Sequence, residues 1–338
     1  VVTIKEVAKE ANVAISTVSR VLNNSGYTSE KTREKVLQAV KKLDYKGSLL
    51  AAAMTKKQTL TLGLIIPDIK NIFYSDLTRA VEDEASKHGF NIFLCNTDNN
   101  LQKEAEYINL LIAKGVDGII FSSPEIEAEN IKDAKEKYPD LPIVVLGSKI
   151  FNLHVHEVLV DNFDGGYKAT SHLIDLGHKD IAFISGGKES YASVERHKGY
   201  EYALNENGIS INDEYVVFDK FYMESGYKNA LKLLQKNRRP TAIFAGSDSI
   251  AVGVYRAANE LNINIPEQLS VVGFDDSQYA EILSPMLTTI HTPIKEMGQR
   301  AIEIIVKLIK EKQLYKESLV FYPTFMERKS TAEPYSTG

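Results

Sequence analysis

Residues 15–23 read Ile15-Ser16-Thr17-Val18-Ser19-Arg20-Val21-Leu22-Asn23, directly after a short amphipathic stretch and a tight turn. Val18, Val21 and Leu22 recur at helical spacing and predict one buried face. The remaining positions carry hydroxyls, an amide and one arginine, which suits a helix lying in the major groove of DNA. Hydroxyls and amides hold phosphate oxygens, while arginine can bind guanine through two hydrogen bonds. Upstream, Thr3-Ile4-Lys5-Glu6 has the form of a capping box, in which the Thr3 oxygen and the Glu6 carboxylate satisfy unpaired amides at a helix start. Ile4, Val7, Ala8 and Ala11 give that helix an apolar face for packing against the next. Downstream, Ser29 is placed to cap a third helix whose buried face reads Val36, Leu37, Val40 and Leu43.

Charge is divided unevenly along the chain. Residues 1–60 hold eleven lysines and arginines against five acids, a net +6, which leaves −11 for the rest of a chain whose total is −5. A basic module on an acidic body is the footprint of a DNA-binding head on a regulatory domain, and the acidic body repels DNA and confines contact to the head. A length of 338 residues suits a small head and a large α/β body. Cys95 is the single cysteine, so no intramolecular disulfide framework exists. No run is long and apolar enough to span a membrane and no signal peptide opens the sequence, so a cytoplasmic location is expected.

From residue 60 the pattern becomes β-α-β-α. Apolar runs at 61–66, 91–95, 117–121, 142–146 and 157–160 predict buried strands, with helical periodicity at 75–88, 101–114 and 127–137. A second series places strands near 180–185, 214–217, 241–245 and 269–273 and helices near 163–176, 195–207, 224–236 and 248–261. Such alternation implies parallel sheets covered by helices on both faces, and two series imply two doubly wound lobes. No glycine-rich fingerprint opens the first helix of either lobe and no phosphate loop is present, so no nucleotide cofactor is expected. Nor is a metal: His154 and His156 form an H-x-H without a Cys or acidic partner at ligand spacing, which reads as exposed strand histidines. The sequon Asn23-Asn24-Ser25 is chance, and the Lys/Glu-rich stretch 125–138 reads as a solvated helix face.

The N-terminal run resembles the headpiece of the lac repressor (LacI/GalR) family. The resemblance continues through Gly63-Leu64-Ile65-Ile66-Pro67-Asp68, Asn71-Ile72-Phe73-Tyr74, Gly115-Val116-Asp117-Gly118-Ile119-Ile120, Leu176-Gly177-His178 and Arg196-His197-Lys198-Gly199-Tyr200. It ends with Gly246-Ser247-Asp248, Val272-Gly273-Phe274-Asp275-Asp276, Pro285-Met286-Leu287-Thr288-Thr289-Ile290 and Glu327-Arg328-Lys329-Ser330. The resemblance implies an α/β protein: a helix-turn-helix headpiece over 1–46, a hinge helix and linker over 47–59, and two lobes similar to periplasmic sugar-binding proteins. Lobe 1 would take 60–161 and 292–323, and lobe 2 would take 162–291 and 324–338, with crossings near 161, 291 and 323. The hinge helix would carry Ala51 and Met54 into the minor groove, Met54 standing where the family's apolar wedge is usually leucine. Here the chain departs from the family pattern: Lys46-Gly47-Ser48 replaces Arg-Pro-Asn, and Ala52 replaces an arginine often found in the hinge. Losing Pro and gaining Gly raises the ordering cost of the segment.

Open α/β sheets bind ligands at the carboxyl ends of their strands, in the crevice between lobes. The residues just after the predicted strands are therefore candidates: Phe73 and Tyr74, Asp98, Ser122 and Ser123, Ser148 and Lys149, Arg196, Phe221, Ser247, Asp248 and Asp275. Arg196 with Asp275 leads, because a cation facing a carboxylate satisfies vicinal hydroxyls as both acceptors and donors. By resemblance both match positions that hold sugar or purine effectors. In the head, Ile15, Ser16 and Arg20 are expected to read bases, and Thr3, Thr17, Ser19 and Asn23 to contact DNA largely through the backbone. Ile15 offers an apolar contact suited to a thymine methyl.

The resemblance thus implies a transcriptional repressor of carbohydrate-utilisation genes, a homodimer on a pseudo-palindromic double-stranded operator, controlled by a small sugar and most similar to ribose-type regulators. No leucine-heptad tail follows Gly338, which favours a dimer over a tetramer. The alternative is a global carbon-catabolite regulator whose co-repressor is a phosphorylated carrier protein docking on the first lobe. A sugar-binding or sugar-modifying protein is the lesser alternative, and the absence of a nucleophile elbow or metal motif argues against an enzyme.

Overall fold

The computed structural model describes residues 2–22, 26–45, 58–311 and 316–335. The chain separates into two compact units, Val1–Leu60 and Thr61–Gly338.

In the first unit three helices, α1 (Ile4–Ala11), α2 (Ile15–Leu22) and α3 (Glu30–Lys42), surround one small core. At the start of α1 the Glu6 carboxylate accepts from the Thr3 amide at 2.7 Å and from the Thr3 hydroxyl at 2.9 Å. Asn12 ends α1 at φ 52°, a left-handed conformation that a short polar side chain tolerates. The Ser29 hydroxyl caps α3 by accepting from the Thr32 amide. Val7, Val18 and Val36 are wholly buried at the centre, ringed by Ala8, Ala11, Val21, Ala39 and Tyr45. Two expected core residues lie elsewhere: Leu22, the last residue of α2, is 39% exposed, and Leu37 is 47% exposed. The buried stripe of α3 runs through Val36, Ala39, Val40 and Leu43, and Leu37 is turned about 100° away from Val36.

The second unit holds three sheets. The first has six parallel strands in the order β11-β5-β4-β3-β1-β2: β1 (Thr61–Ile66), β2 (Asn91–Asn96), β3 (Gly118–Ser122), β4 (Ile143–Leu146), β5 (His156–Val160) and β11 (Ser318–Phe321). The second has four, in the order β7-β6-β8-β9: β6 (Ile181–Ser185), β7 (Val216–Phe218), β8 (Ala242–Ala245) and β9 (Ser270–Val272). A third, antiparallel pair joins β10 (Thr289–His291) to β12 (Thr324–Met326). The chain passes from the first sheet to the second after β5, returns through the helix Ile294–Glu311 after β10, and leaves again after β11. Strands β10, β11 and β12 have no counterpart among the runs read from the sequence.

Period-2 alternation decides which face each strand residue serves. Ile181 and Phe183 of β6 and Ala242 and Phe244 of β8 pack with the helices Asn162–Asp175 and Tyr191–Glu206. Ala182, Ile184, Ile243 and Ala245 pack on the opposite side with Met223–Leu234 and Asp248–Glu260. Both helix pairs meet through glycine. A Cβ at Gly166 would collide with the Arg196 carbonyl, and one at Gly199 with the Phe163 carbonyl. Gly226 and Gly253 stand in the same relation to Ile250 and Met223. Among the described residues, no helix is long and apolar enough to cross a membrane.

The small core of the first unit makes it the sensitive one. Val18→Ala removes wholly buried apolar surface worth about 2 kcal/mol, a large share of what a unit of this size holds. The variant is expected to lose α1–α3 at a lower temperature while the second unit melts unchanged, resolved by calorimetry of the full chain.

Candidate functional site

On α2, Ile15 is 45% exposed, Ser16 and Arg20 are exposed, and Thr17 and Ser19 are half-buried. At about 100° per residue, Ile15, Ser19, Ser16 and Arg20 cover an arc of about 140°, opposite Val18 and Val21. The helix therefore presents a continuous polar and apolar reading face, with one cation, and buries the other. Thr3 is exposed at the start of α1. Asn23, Ala51 and Met54 lie outside the described residues, as does Lys46-Gly47-Ser48.

In the second unit a narrow cleft opens between the two large sheets. Segments following strand ends in both sheets supply its wall: Asn71, Phe73 and Tyr74 after β1, Ser123 after β3, Gly147 after β4 and Asn162 after β5. From the other side come Ser190, Ala192 and Arg196 after β6, Phe221 after β7, Ser247 after β8, Asp275 after β9 and Thr292 after β10.

Arg196 is buried to 6% exposure. Its Nε donates to Asn162 Oδ1 at 2.8 Å and its Nη1 to the Gly246 carbonyl. Its guanidinium carbon stands 3.5 Å from the centre of the Phe274 ring. Its Nη2 lies 3.6 Å from Asp275 Oδ1, close enough for an ion pair and too far for a hydrogen bond. Asp275 Oδ1 consequently has no hydrogen-bond partner although the residue is buried, and neither does the buried Thr292 hydroxyl. Burial pushes the Asp275 carboxyl well above the usual carboxylate range, Arg196 pulls it back and Asp248 pushes it further up. Asp275 also holds φ 111°, a strained backbone for a side-chain-bearing residue. A buried carboxyl oxygen without a hydrogen bond beside a buried cation, flanked by Phe73, Tyr74 and Phe221, suits a ligand with hydroxyls on its edge and an apolar face. Burial pushes the Tyr74 phenol up to about 12, so it faces the cleft as a neutral hydroxyl near the Ser123 side chain.

Of the expected residues, Phe73, Tyr74, Arg196, Phe221, Ser247 and Asp275 line this cleft. Asp98 lines an adjoining outer compartment with Tyr74 and Phe221. Four lie elsewhere. Ser122, the last residue of β3, points to a separate crevice beside Ile65 and Thr97, and alternation places Ser123 on the cleft instead. The buried Ser148 hydroxyl donates to the Pro124 carbonyl at 2.8 Å. Lys149 is exposed and lies over the Phe151 ring. Asp248 is wholly buried, and its carboxylate accepts from the Ser277 amide at 2.6 Å, the Ser277 hydroxyl at 2.9 Å and the Thr289 hydroxyl at 2.6 Å. It anchors the loop that carries Asp275. Asn71, Ser190 and Thr292 were not anticipated. Asn71 and Ser190 are helix N-caps as well as cleft residues, and Thr292 follows β10, which has no counterpart among the runs read from the sequence. Asn162, also unanticipated, directly follows Asp161 at a crossing and was within reach of the strand-end rule. His156 is half-buried, its Nδ1 accepting from the Glu317 amide at 3.1 Å, and no cluster among the described residues could hold a metal ion.

A raised carboxyl pKa means that the folded protein binds the proton more tightly than the unfolded chain, so stability falls as pH rises from the ordinary carboxylate value toward the folded one. Asp275→Asn removes that dependence. Between pH 5 and pH 8 the wild-type midpoint of the second unit is expected to fall relative to the variant by about 2–4 °C, measured by thermal denaturation at both pH values.

Comparison with known proteins bears on both units. Residues 3–48 match the bacterial regulatory proteins of the lacI family, and residues 59–328 match the periplasmic binding proteins and sugar binding domain of LacI family. Catabolite control protein A of Priestia megaterium is 37% identical over 332 residues, covering 98% of this chain and 99% of that protein. Among solved structures, the lac repressor dimer bound to operator and the anti-inducer ONPF matches with a TM-score of 0.89 at 26% identity, over 98% of this chain and 99% of that one. A LacI family transcriptional regulator from Enterococcus faecium with bound ribose matches with a TM-score of 0.73 at 32% identity, over 81% of this chain and 99% of that one.

Proposed function

Because the chain belongs to the LacI family of bacterial transcriptional regulators, we propose that it is a homodimeric repressor of carbohydrate-utilisation genes whose affinity for a pseudo-palindromic operator is set by a small sugar held between Arg196 and Asp275. As a family member it is a DNA-binding regulator and not an enzyme. Its place of action is the cytoplasm, where the operator is.

The observation that carries the sugar reading is the buried Asp275 oxygen that lacks a hydrogen bond, facing a buried Arg196. A sugar hydroxyl donates to the first and accepts from the second, while the ring's C–H face stacks on Phe221 or Phe73. The lobes are bridged where the Asn71 side-chain amide donates to the Phe221 carbonyl at 3.2 Å and that of Asn99 to the Tyr222 hydroxyl at 3.3 Å. A ligand that touches both sides favours this closed arrangement by its differential affinity for it, and shifts the dimer's populations by no more than that. Two copies of the chain would meet through the apolar edge strand β2, where Phe93 is 48% and Leu94 42% exposed, and through Ile282, 72% exposed. A two-fold dimer presents two copies of α2 to two half-sites. Ile15, Ser16 and Arg20 read bases there. Thr3, Thr17, Ser19 and Asn23 hold the backbone, and Ala51 and Met54 enter the minor groove.

The second reading is a carbon-catabolite regulator whose co-repressor is a phosphorylated carrier protein, favoured by the likeness to catabolite control protein A. Fluorescence anisotropy of a labelled pseudo-palindromic duplex with a central CG step, at fixed salt, separates the two. One sugar in a panel that includes ribose is expected to change operator affinity by about 5-fold or more. Arg196→Ala should keep operator binding and lose that response, whereas Arg20→Ala should weaken operator binding by about 10-fold or more. Tight binding that ignores every sugar and responds to the carrier protein would select the second reading.

A further inference from the structure

The cleft continues outward into a second compartment that shares Asn71, Tyr74, Ser123, Ser190 and Phe221 with the first. Its wall is strongly acidic: Asp68, Asp98, Glu125, Glu189 and Asp219 line it, against Lys220. Three of these carboxylates are already engaged. Asp98 pairs with Lys103 at 2.5 Å, Asp68 accepts from the Lys70 amide at 2.9 Å, and Asp219 accepts from the Asn229 side chain at 2.8 Å.

Glu125 and Glu189 differ. Neither takes part in an ion pair among the described residues; burial raises the Glu125 pKa, and the charge of Glu189 raises it further. They come from opposite sides of the cleft, one after β3 and the other after β6, and the Ile126 amide donates to the Glu189 carbonyl at 3.1 Å. The two segments are thus tied backbone to backbone while their like-charged side chains face one compartment. The Glu189 carboxylate lies over Gly187, where a Cβ would collide with it. Deeper in, the unpartnered and more than nine-tenths buried Asp275 oxygen marks where the rest of a ligand sits.

We infer that the effector is a polyhydroxylated ligand carrying an ammonium group, its hydroxyls between Arg196 and Asp275 and its ammonium between Glu125 and Glu189. The inference rests on the sugar reading above. An ammonium relieves the repulsion between the two glutamates and favours closure, because it is attracted to both sides of the mouth at once. A phosphate ester in the same compartment meets several carboxylates and one lysine, and is excluded.

The test is calorimetric titration of the full-length protein with matched pairs, each a neutral sugar and its amino-deoxy counterpart. The pairs are glucose and glucosamine, galactose and galactosamine, mannose and mannosamine, and cellobiose and the β-1,4-linked glucosamine disaccharide; glucose 6-phosphate and ribose 5-phosphate are added. The amine member of one pair is expected to bind about 10-fold tighter or more than its neutral partner. Glu125→Gln and Glu189→Gln should each erode that preference by weakening the amine, while the neutral sugar binds as tightly as before or tighter, because the repulsion is gone, and the melting temperature does not fall. A neutral sugar binding as tightly as its amine, or a sugar phosphate binding better, would overturn the ammonium inference and leave the sugar cleft standing. Binding of no sugar of any kind by a protein that still binds its operator would overturn both.

Discussion

A guanidinium taken out of water loses several strong hydrogen bonds, and the second unit is arranged around replacing those that Arg196 gave up. Each replacement comes from a different segment: Asn162 opens the helix after β5, Gly246 follows β8, and Phe274 and Asp275 follow β9. One side chain therefore fixes the mutual positions of three strand ends. The incomplete member is Asp275, whose oxygen is held just beyond bonding distance. Asp248 keeps it there from below, through Ser277 and Thr289. The same buried charge that organises the fold thus leaves one acceptor unmet at the floor of the cleft.

The two units divide labour by charge and by core size. The first has a core centred on three wholly buried valines and exposes a cation, Arg20, on α2. The second carries the excess acid and two-faced sheets with large buried aromatics such as Phe183 and Phe244.

Much of this was legible before any coordinates. The long apolar strands and their intervening helices could be read because burial on both faces leaves near-continuous apolar runs. Arg196, Asp275, Phe221 and Tyr74 could be read because strand ends point into the crevice. The failures have specific causes. Ser122 and Ser123 differ by one residue, and only the phase of β3 tells which faces the cleft. Asp248 satisfies the strand-end rule and still turns inward, because three donors await it there. Leu22 and Leu37 are apolar at nearly the right spacing, but the length and phase of a helix are set by its neighbours. Thr292 was missed because it follows β10, which pairs only with β12, more than thirty residues away.

The glycine contacts between the helices that cover the second sheet bear on motion. Where two helices touch backbone to backbone, at Gly166 with Arg196 and at Gly226 with Ile250, there is no layer of side chains between them to shear or repack. A shift of the Arg196 backbone therefore bears directly on the backbone of the neighbouring helix at Gly166, with no side-chain layer to absorb it.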